Sequence, residues 1–245
     1  MLLVIVYCII ILWFSDAINK FSIENNNIKQ YENPFISIII AAHNEEKNIE
    51  KLLHSLFNQT YNNKLFEIII IDDRSKDNTA NSISNYSNSN LKLIKIDETP
   101  IGWSHKKWAL NSGIKNAKGE IILQTDADCI PNKRWIETMV NAFSDNNVGF
   151  VCGPSPLFSK NKIEKILQLE NNAQDAVSAG GLQNKLILSC TGRNLAFIKK
   201  IFENIQGYKN IEHFESGDDD LLMQKINKKT NYKIKFLIDE NAIVY

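Results

Sequence analysis

The sequence predicts an α/β fold with a mostly parallel, Rossmann-like central sheet flanked by helices. Short runs of branched apolar residues alternate with helical patterns between residues 36 and 125, which is typical of a doubly wound sheet. Polar clusters follow three of these runs, at residues 41–45, 72–73 and 126–128. Such sheets bind ligands at the carboxyl ends of their strands. The sequence therefore predicts one binding edge built from three strand ends.

Composition narrows the class of protein. A chain of 245 residues can bury a substantial core, in one large domain or two small ones. Its 28 basic and 28 acidic residues cancel, so we expect no nucleic-acid partner. The four cysteines are scattered through the chain, which argues against a zinc site or a disulfide framework. Cys129 is expected to be a small buried packing residue.

The first 14 residues are apolar and predict a membrane anchor. A helix of this stretch covers about 21 Å, against about 30 Å of bilayer hydrocarbon. It lacks the basic start and the small-residue cleavage site of a signal peptide. A signal anchor, a truncated span and an interfacial segment all fit this pattern. We expect membrane attachment rather than a buried core segment, because residues 15–34 are polar and linker-like. Residues 35–245 are then expected to form one domain.

The first half of this domain has the clearest alternation. Residues 36–40 are a continuous apolar run, typical of a strand buried on both faces. Asn44 is expected to cap the next helix, whose apolar stripe runs from Ile49 to Phe57. Further strands are predicted at 66–71, 91–96 and 120–125, with helices from residue 77 and over 106–117.

The second half is less regular, although no repeat or low-complexity linker divides it. Apolar residues at helical spacing predict a helix over 133–143. A longer amphipathic helix is predicted over 163–179, where Gly180 and Gly181 are expected to end it. The remaining predictions are strands at 148–152, 186–190 and 233–238, and helices at 198–204 and 221–226.

Asp126 and Asp128 stand one residue apart at the end of a predicted buried strand. Two such close carboxylates do not both stay ionised cheaply unless a cation or a set of donors compensates them. A hard divalent cation, held by one or two carboxylates and by substrate phosphates, satisfies this condition. Because no Cys or His ligand is nearby, Mg²⁺ or Mn²⁺ is favoured over zinc. The alternative is a polar turn in which Asp126 caps the next segment.

Five motifs occur in one order with compatible spacing. They are SIIIAAHNEE at 37–46, IDDRS at 71–75, GWSHKKWAL at 102–110, DAD at 126–128 and GDDDL at 217–221. Together they resemble the family 2 glycosyltransferases, which are inverting, nucleotide-sugar-dependent enzymes with the GT-A fold. The resemblance covers roughly residues 36–240 and implies a GT-A domain.

The resemblance also implies a nucleotide site. The family places the loop containing Ala41, Ala42 and Glu45 against the base and ribose of the donor. It implies that Asp72 or Asp73 reads the base, usually uracil, and we favour Asp72. The expected donor is therefore a UDP-sugar.

The diphosphate is expected to lie near Asp126 and Asp128. The resemblance implies that Asp126 faces the ribose, and that Asp128 holds a metal ion that bridges the diphosphate oxygens. Lys106 matches the lysine of the family's G-K-x-x-A-L-like segment, although His105 stands where glycine is common. We expect Lys106 to contact the nucleotide or its phosphates, with Lys107 as its rival.

The acidic run at 217–221 is the expected source of the general base, which takes the proton of the acceptor hydroxyl. The family usually has Glu-Asp-x-Asp-Leu at this position. Aligning the leucines places Asp218 on the catalytic aspartate and Gly217 on the glutamate, and this departure leaves Asp219 as a competitor. The alternative is that these acids only favour a helix N-terminus. Residues 191–194 resemble the family's acceptor-side loop.

The expected function is transfer of a sugar, with inversion, from a nucleotide diphosphate to a hydroxyl of a lipid or glycan. We expect the enzyme to be attached to the membrane with its catalytic domain facing the cytoplasm. The Q-x-x-R-W segment and later membrane helices of processive members are not found before Tyr245. Either the sequence is a fragment or the enzyme works without that module, and the ending straight after a strand-like run favours a fragment. Alternatives are a nucleotidyltransferase, which the acidic 41–46 loop disfavours, and a sugar-nucleotide-binding relative without turnover.

Overall fold

The computed structural model describes residues 2–24, 33–159 and 161–245. A seven-stranded sheet forms its centre, with strand order β3-β2-β1-β4-β6-β5-β7. The strands are β1 (Ile36–Ala42), β2 (Phe66–Asp73), β3 (Leu91–Ile96), β4 (Ile121–Gln124), β5 (Val148–Cys152), β6 (Leu195–Ile198) and β7 (Lys233–Phe236).

Most of the sheet is parallel, as the sequence predicts. Strands β1–β2, β1–β4, β2–β3 and β5–β7 pair in parallel, whereas β6 runs antiparallel to both β4 and β5. The sheet is therefore mixed. Because Gln124 pairs with Leu195, the start of β6 meets the carboxyl end of β4. This reversal brings the loop before β6 to the predicted binding edge.

Helices cover both faces of the sheet. They are α1 (Leu2–Glu24), α2 (Ile49–Phe57), α3 (Thr79–Ser84), α4 (His105–Asn116), α5 (Trp135–Asn141), α6 (Lys162–Gln183), α7 (Lys199–Asn204) and α8 (Asp220–Lys229). Ile38 and Ile40 of β1 pack in one core with α2 and α5, and Ile39 packs in the other with α4 and α8. The apolar run of β1 is continuous because both of its faces are buried.

Three local predictions are wrong. Residues 186–190 form no strand, and the strand in this part of the chain is β6. Asn44 does not cap α2, which begins five residues later; it lies in a turn with φ of 58°. The predicted stop at Gly180 does not end α6, which continues to Gln183. A Cβ at Gly180 would lie 2.6 Å from the Phe14 ring, so this glycine permits close packing of α1 on α6.

The N-terminal helix α1 is longer than the predicted apolar segment. It continues to Glu24, through the first ten residues of the predicted linker, and Ala17 is buried. Residues 25–32 of that linker lie outside the described part of the chain. Val4, Tyr7 and Leu12 are more than 60% exposed. Within the described ranges, no helix combines the length and apolar character needed to cross a membrane.

Candidate active site

The loops that follow β1 and β2 form one wall of the site and are tied to each other. The backbone N–H of Asn44 donates to Ser75 Oγ at 2.9 Å, and that of Glu45 donates to Thr79 Oγ1 at 2.7 Å. Asn44 and Arg74 both have positive φ, at 58° and 57°. Such backbone is uncommon outside glycine and persists where surrounding contacts determine it. The cross-loop bonds supply those contacts.

A cavity of about 400 Å³ opens at this edge and is called the donor cavity here. Most of the residues predicted to contact the donor or metal line it, namely Ala41, Ala42, Glu45, Asp73, Lys106, Asp126 and Asp128. The strand ends of β1, β2 and β4 thus meet at one site, together with the first turn of α4. The structure brings these predicted residues together as the parallel topology requires.

Asp72 and Asp73 point to different surroundings. Asp72 is buried and its Oδ1 accepts a hydrogen bond from the Ser75 backbone N–H at 3.3 Å. The Asp73 carboxylate pairs with the Arg74 guanidinium, with an Nε–Oδ1 distance of 2.8 Å, and both residues line the donor cavity. Of the two acids, Asp73 lines the donor cavity and Asp72 does not. The choice of Asp72 as the base reader stays a prediction.

Lys106 joins the donor cavity to the acidic run. Its Nζ lies 2.9 Å from Asp126 Oδ1 and 3.4 Å from Asp218 Oδ2. Burial lowers the pKa of Lys106, but the carboxylates of Asp126 and Asp218 outweigh this effect and raise the pKa above its usual value. Gln124 Nε2 also donates to Asp218 Oδ2, at 3.1 Å. Lys106 and Gln124 therefore link Asp218 to the end of β4 and to Asp126 of the donor cavity.

Lys107 occupies a different environment from Lys106. Its side chain is fully buried, and Nζ donates to the carbonyl oxygens of Phe214 and Ser216 at 2.5 and 2.6 Å. Burial lowers the pKa of Lys107. The two carbonyls belong to the segment that leads into Asp218. Lys107 thus holds the acidic run from behind and does not line the donor cavity.

The structure separates the two candidates for the general base. Asp219 Oδ2 accepts the Gly192 backbone N–H at 2.6 Å, and its Oδ1 accepts that of Asp220 at 2.7 Å. Asp219 is therefore the N-cap of α8 and fastens the loop before β6. Asp218 instead contacts the side chains of Lys106 and Gln124. This geometry favours Asp218 as the base and gives Asp219 a positioning role.

Asp218 is buried and Asp219 is half-buried, and this desolvation raises the pKa of each carboxyl group above the usual aspartate range. Lys106 opposes this rise at Asp218, and the Asp220 backbone N–H opposes it at Asp219. A raised pKa makes a carboxylate a stronger base, which suits proton removal from a hydroxyl.

Two glycines allow this arrangement. Gly217 has φ of +79°, a conformation that a glutamate at this position would adopt only with strain. A Cβ at Gly192 would lie 3.1 Å from Asp218 Oδ2 and 3.3 Å from Asp219 Oδ2. The positive φ at residue 217 explains why glycine replaces the family's glutamate there. The absence of a side chain at Gly192 lets the loop before β6 lie close to the two carboxylates.

The carboxylates available for a cation are Asp126 and Asp128. Asp128 is exposed in the donor cavity and receives only a weak contact from Cys129 Sγ at 3.6 Å. Among the residues that the structure covers, no group of three or more His, Cys, Asp or Glu is placed to hold a metal ion. Two carboxylates that line one cavity fit a hard cation that takes its other ligands from substrate and water. Burial raises the pKa of Cys129 to about 12, as expected for a packing residue.

A second cavity, called the α6 cavity here, has a volume of about 660 Å³. It is formed by one face of α6 (residues 170–178), by residues 189–193 and by Asp219 and Asp220. It shares no lining residue with the donor cavity. Its position beside the acidic run places it on the acceptor side predicted for residues 191–194.

Four site residues were missed by the sequence predictions. His43, Arg74 and His105 line the donor cavity, and Gln124 contacts Asp218. The first three lie inside the quoted motifs, His43 and Arg74 just after strand ends and His105 at the start of α4, and position was their only signal. Gln124 is a polar residue in a buried strand, where its side-chain amide needs a hydrogen-bond partner. That need is the feature of the sequence that could have identified Gln124.

Comparison with known proteins shows similarity to several glycosyltransferases. Glycosyltransferase AglE of Haloferax volcanii is 34% identical over 122 residues, 49% of this chain and 39% of that protein. Probable glycosyltransferase YdaM of Bacillus subtilis is 29% identical over 223 residues, 87% of this chain and 52% of that protein. Beta-monoglucosyldiacylglycerol synthase of Trichormus variabilis is 36% identical over 118 residues, 48% and 25% respectively. The chain thus spans about half or less of these relatives' lengths.

Solved structures show the same fold. The mannosyltransferase PcManGT from Pyrobaculum calidifontis, in complex with GDP-Man and Mn²⁺, has a TM-score of 0.72 at 20% identity, covering 96% of this chain and 63% of that chain. TarS of S. aureus in complex with UDP-GlcNAc has a TM-score of 0.64 at 20% identity, covering 84% and 56%. These similarities confirm a GT-A-like fold. The model of glycosyl transferase family 2 matches residues 37–206, more than half of the sequence, and the chain belongs to that family.

Proposed function

We propose that the chain transfers a sugar, with inversion, from a nucleotide-diphosphate donor to a hydroxyl of a lipid or glycan acceptor. The observation that carries this proposal is the Lys106 bridge, which joins Asp126 in the donor cavity to Asp218 beside the α6 cavity. The bridge places the proposed base, Asp218, next to the charge that Lys106 would present to the leaving diphosphate. That is the arrangement a single displacement requires.

In this reaction the acceptor oxygen attacks the anomeric carbon as its proton passes to Asp218. The bond between that carbon and the β-phosphate oxygen breaks, and its electron pair leaves with the nucleoside diphosphate. Lys106 stands 2.9 Å from Asp126, where its charge offsets that of the departing diphosphate. Gln124, at 3.1 Å, keeps the Asp218 carboxylate oriented.

Asp128, with Asp126, is proposed to hold Mg²⁺ or Mn²⁺. When bound, such a cation supplies Lewis-acid stabilisation of the leaving diphosphate. The exposed Asp128 carboxylate and the absence of other strong donors to it among the described contacts support this assignment. The Mn²⁺ in the PcManGT complex is consistent with it.

The donor is proposed to be a UDP-sugar, on the resemblance of the 41–46 and 71–75 motifs. Similar structures bind either GDP-Man or UDP-GlcNAc, so both nucleotides belong in the test. A thermal-shift panel of UDP, GDP and their sugars, with and without Mn²⁺, measures binding without an acceptor. A ligand that binds only the folded state, at a free concentration of 100 times its Kd, raises the free energy of unfolding by about 2.7 kcal/mol.

We expect a UDP compound to raise the melting temperature more with Mn²⁺ than without it. A larger rise with GDP compounds would assign the donor to guanine nucleotides. Stabilisation by neither nucleotide, in the presence of metal, would contradict the donor site itself.

We also propose that α1 attaches the catalytic domain to the cytoplasmic face of a membrane. The apolar side chains of residues 4–9 and 11–13 are exposed, whereas Phe14 and Ala17 face the domain. Burial of exposed apolar area drives such attachment. Flotation of the full chain with phosphatidylcholine vesicles tests it, and Leu12→Glu is expected to reduce the floated fraction. An unchanged fraction for this variant would contradict the role of α1.

A further inference from the structure

The α6 cavity and the donor cavity differ in their charged side chains. The donor cavity has four carboxyl groups and two cations, Arg74 and Lys106, so the divalent cation proposed at Asp128 would bring its formal charge from −2 to zero. The lining of the α6 cavity has one cation, Arg193, and four carboxyl groups. Those groups are Glu170, Asp175, Asp219 and Asp220. The α6 cavity is therefore anionic, with a formal charge of −3 when every group is ionised.

The single cation of this lining is already engaged. Arg193 Nη2 donates to the carbonyl oxygen of Ser155 at 2.8 Å, and Nε lies 3.5 Å from Thr191 Oγ1. Burial raises the pKa of Asp175 and of Asp219. If Asp175 and Asp219 were both protonated, the carboxylates of Glu170 and Asp220 would still outnumber the one guanidinium. The net charge of the cavity would therefore stay negative.

The remaining polar lining suits hydroxyl groups. Asn171, Gln174, Ser178, Ser189 and Thr191 contribute neutral amide and hydroxyl groups. Carboxylates accept hydrogen bonds from sugar hydroxyls, and amides both donate and accept. A phosphate monoester carries between one and two negative charges near pH 7, and like charges placed together disfavour binding.

We propose that the α6 cavity binds the acceptor through a neutral, hydroxyl-bearing group, a sugar or similar polyol, and rejects acceptors whose reacting group is a phosphate monoester. This proposal rests on the proposed function, because it identifies the cavity beside Asp218 as the acceptor side. It narrows the acceptor to a glycan or to the neutral headgroup of a lipid. The reacting oxygen then belongs to an alcohol whose proton passes to Asp218.

The test compares two probes that differ only in headgroup, hexyl β-D-glucoside and hexyl phosphate. Their binding to the full chain is measured by saturation-transfer NMR at pH 7.5, without donor, so that no turnover is needed. We expect the glucoside to bind at least about 10-fold more tightly, as like-charge rejection of the phosphate predicts. Equal or tighter binding of hexyl phosphate overturns the proposal, and so does failure of the glucoside to bind.

A charge reversal places the effect in the α6 cavity. Glu170 is exposed on α6, so Glu170→Lys is expected to fold and to tighten hexyl phosphate binding by roughly 10-fold. Glu50→Lys, at an exposed position of α2 that does not line the cavity, is the matched control and should leave both affinities unchanged. Equal responses of the two variants would contradict the assignment.

The two proposals fail in different assays. Nucleotide binding in the thermal-shift panel tests the donor site, and probe binding tests the α6 cavity. Glucoside binding without any nucleotide binding would remove the transferase function but keep the ligand class of the cavity. Nucleotide binding with preference for hexyl phosphate would keep the transferase and reverse the acceptor class.

Discussion

Replacing Lys107 by methionine is expected to separate the acidic run from its support. Lys107 is 0% exposed, and its Nζ donates to the carbonyls of Phe214 and Ser216. Two hydrogen bonds from a charged donor contribute about 1.5–3 kcal/mol each to stability. Removing the buried ammonium group also removes its desolvation cost, which offsets part of the loss. We therefore expect Lys107→Met to lower the free energy of unfolding by about 2–4 kcal/mol.

The same change should slow the chemistry more than it weakens donor binding. The two carbonyls lie four and two residues before Asp218 in the chain, so their release is expected to move the base. Displacement of a catalytic group by about 1 Å costs roughly 100-fold in rate. Release of nucleoside diphosphate from the donor, with water as acceptor, measures this rate. The KM for the donor should stay near the wild-type value, because Lys107 does not line the donor cavity.

Lys225 provides the matched control. Its nearly buried Nζ donates to the carbonyls of Gly207 and Lys209 at 2.5 and 2.6 Å, a similar arrangement that does not hold the acidic run. Lys225→Met should lose comparable stability and keep the wild-type rate of folded protein. Full turnover by folded Lys107→Met, or an equal loss in both variants, would refute the positioning role.

Four further outcomes are expected from the site. Asp218→Asn should abolish diphosphate release yet raise the melting temperature at neutral pH. The reason is that a buried carboxyl whose folded pKa is raised loses stability as pH rises from its unfolded pKa through its folded pKa. Unchanged stability across that window would contradict the burial argument. In the wild type, the rate should fall as pH drops through the raised pKa of Asp218, and a flat acid limb in the pH–rate profile would exclude it as the base. Gly192→Ala should lower the rate and destabilise the fold by about 1–3 kcal/mol in urea unfolding, because its Cβ crowds the carboxylates of Asp218 and Asp219. Lys106→Met should weaken UDP binding by roughly 10-fold in calorimetric titration, as loss of a phosphate-facing charge predicts, and unchanged affinity would place the diphosphate elsewhere.

The first half of the fold and the donor cavity could be predicted because local patterns and parallel topology agree there. A buried parallel strand is apolar throughout, and the polar residues that directly follow it lie at the ligand-binding edge of the sheet. Ala41, Asp73, Asp126 and Asp128 meet at the donor cavity for that reason. Their neighbours in the motifs, such as Arg74, were harder to identify because side-chain direction depends on loop backbone. The positive φ at Arg74 sets that direction.

The second half was harder because distant partners decide it. Residues 186–190 and 195–198 are both short and apolar, and only pairing with β4 and β5 selects the latter as the strand. Gly180 has the sequence of a helix stop, but packing of Phe14 explains it. The choice between Asp218 and Asp219 depends on which backbone N–H groups each carboxylate accepts. The bond from Gly192 to Asp219 spans 27 residues of sequence and leaves no local pattern.

The central claim is that the ends of β1, β2 and β4 hold a nucleotide diphosphate together with a divalent cation at Asp128. Calorimetric titration of UDP and GDP into the wild type and Asp128→Asn, with and without Mn²⁺, tests it most directly. We expect Mn²⁺ to tighten nucleotide binding to the wild type by at least about 10-fold, because the ion offsets repulsion between carboxylates and phosphates, and to have little effect on Asp128→Asn. Equal metal dependence in both proteins, or nucleotide binding by neither, would contradict the account.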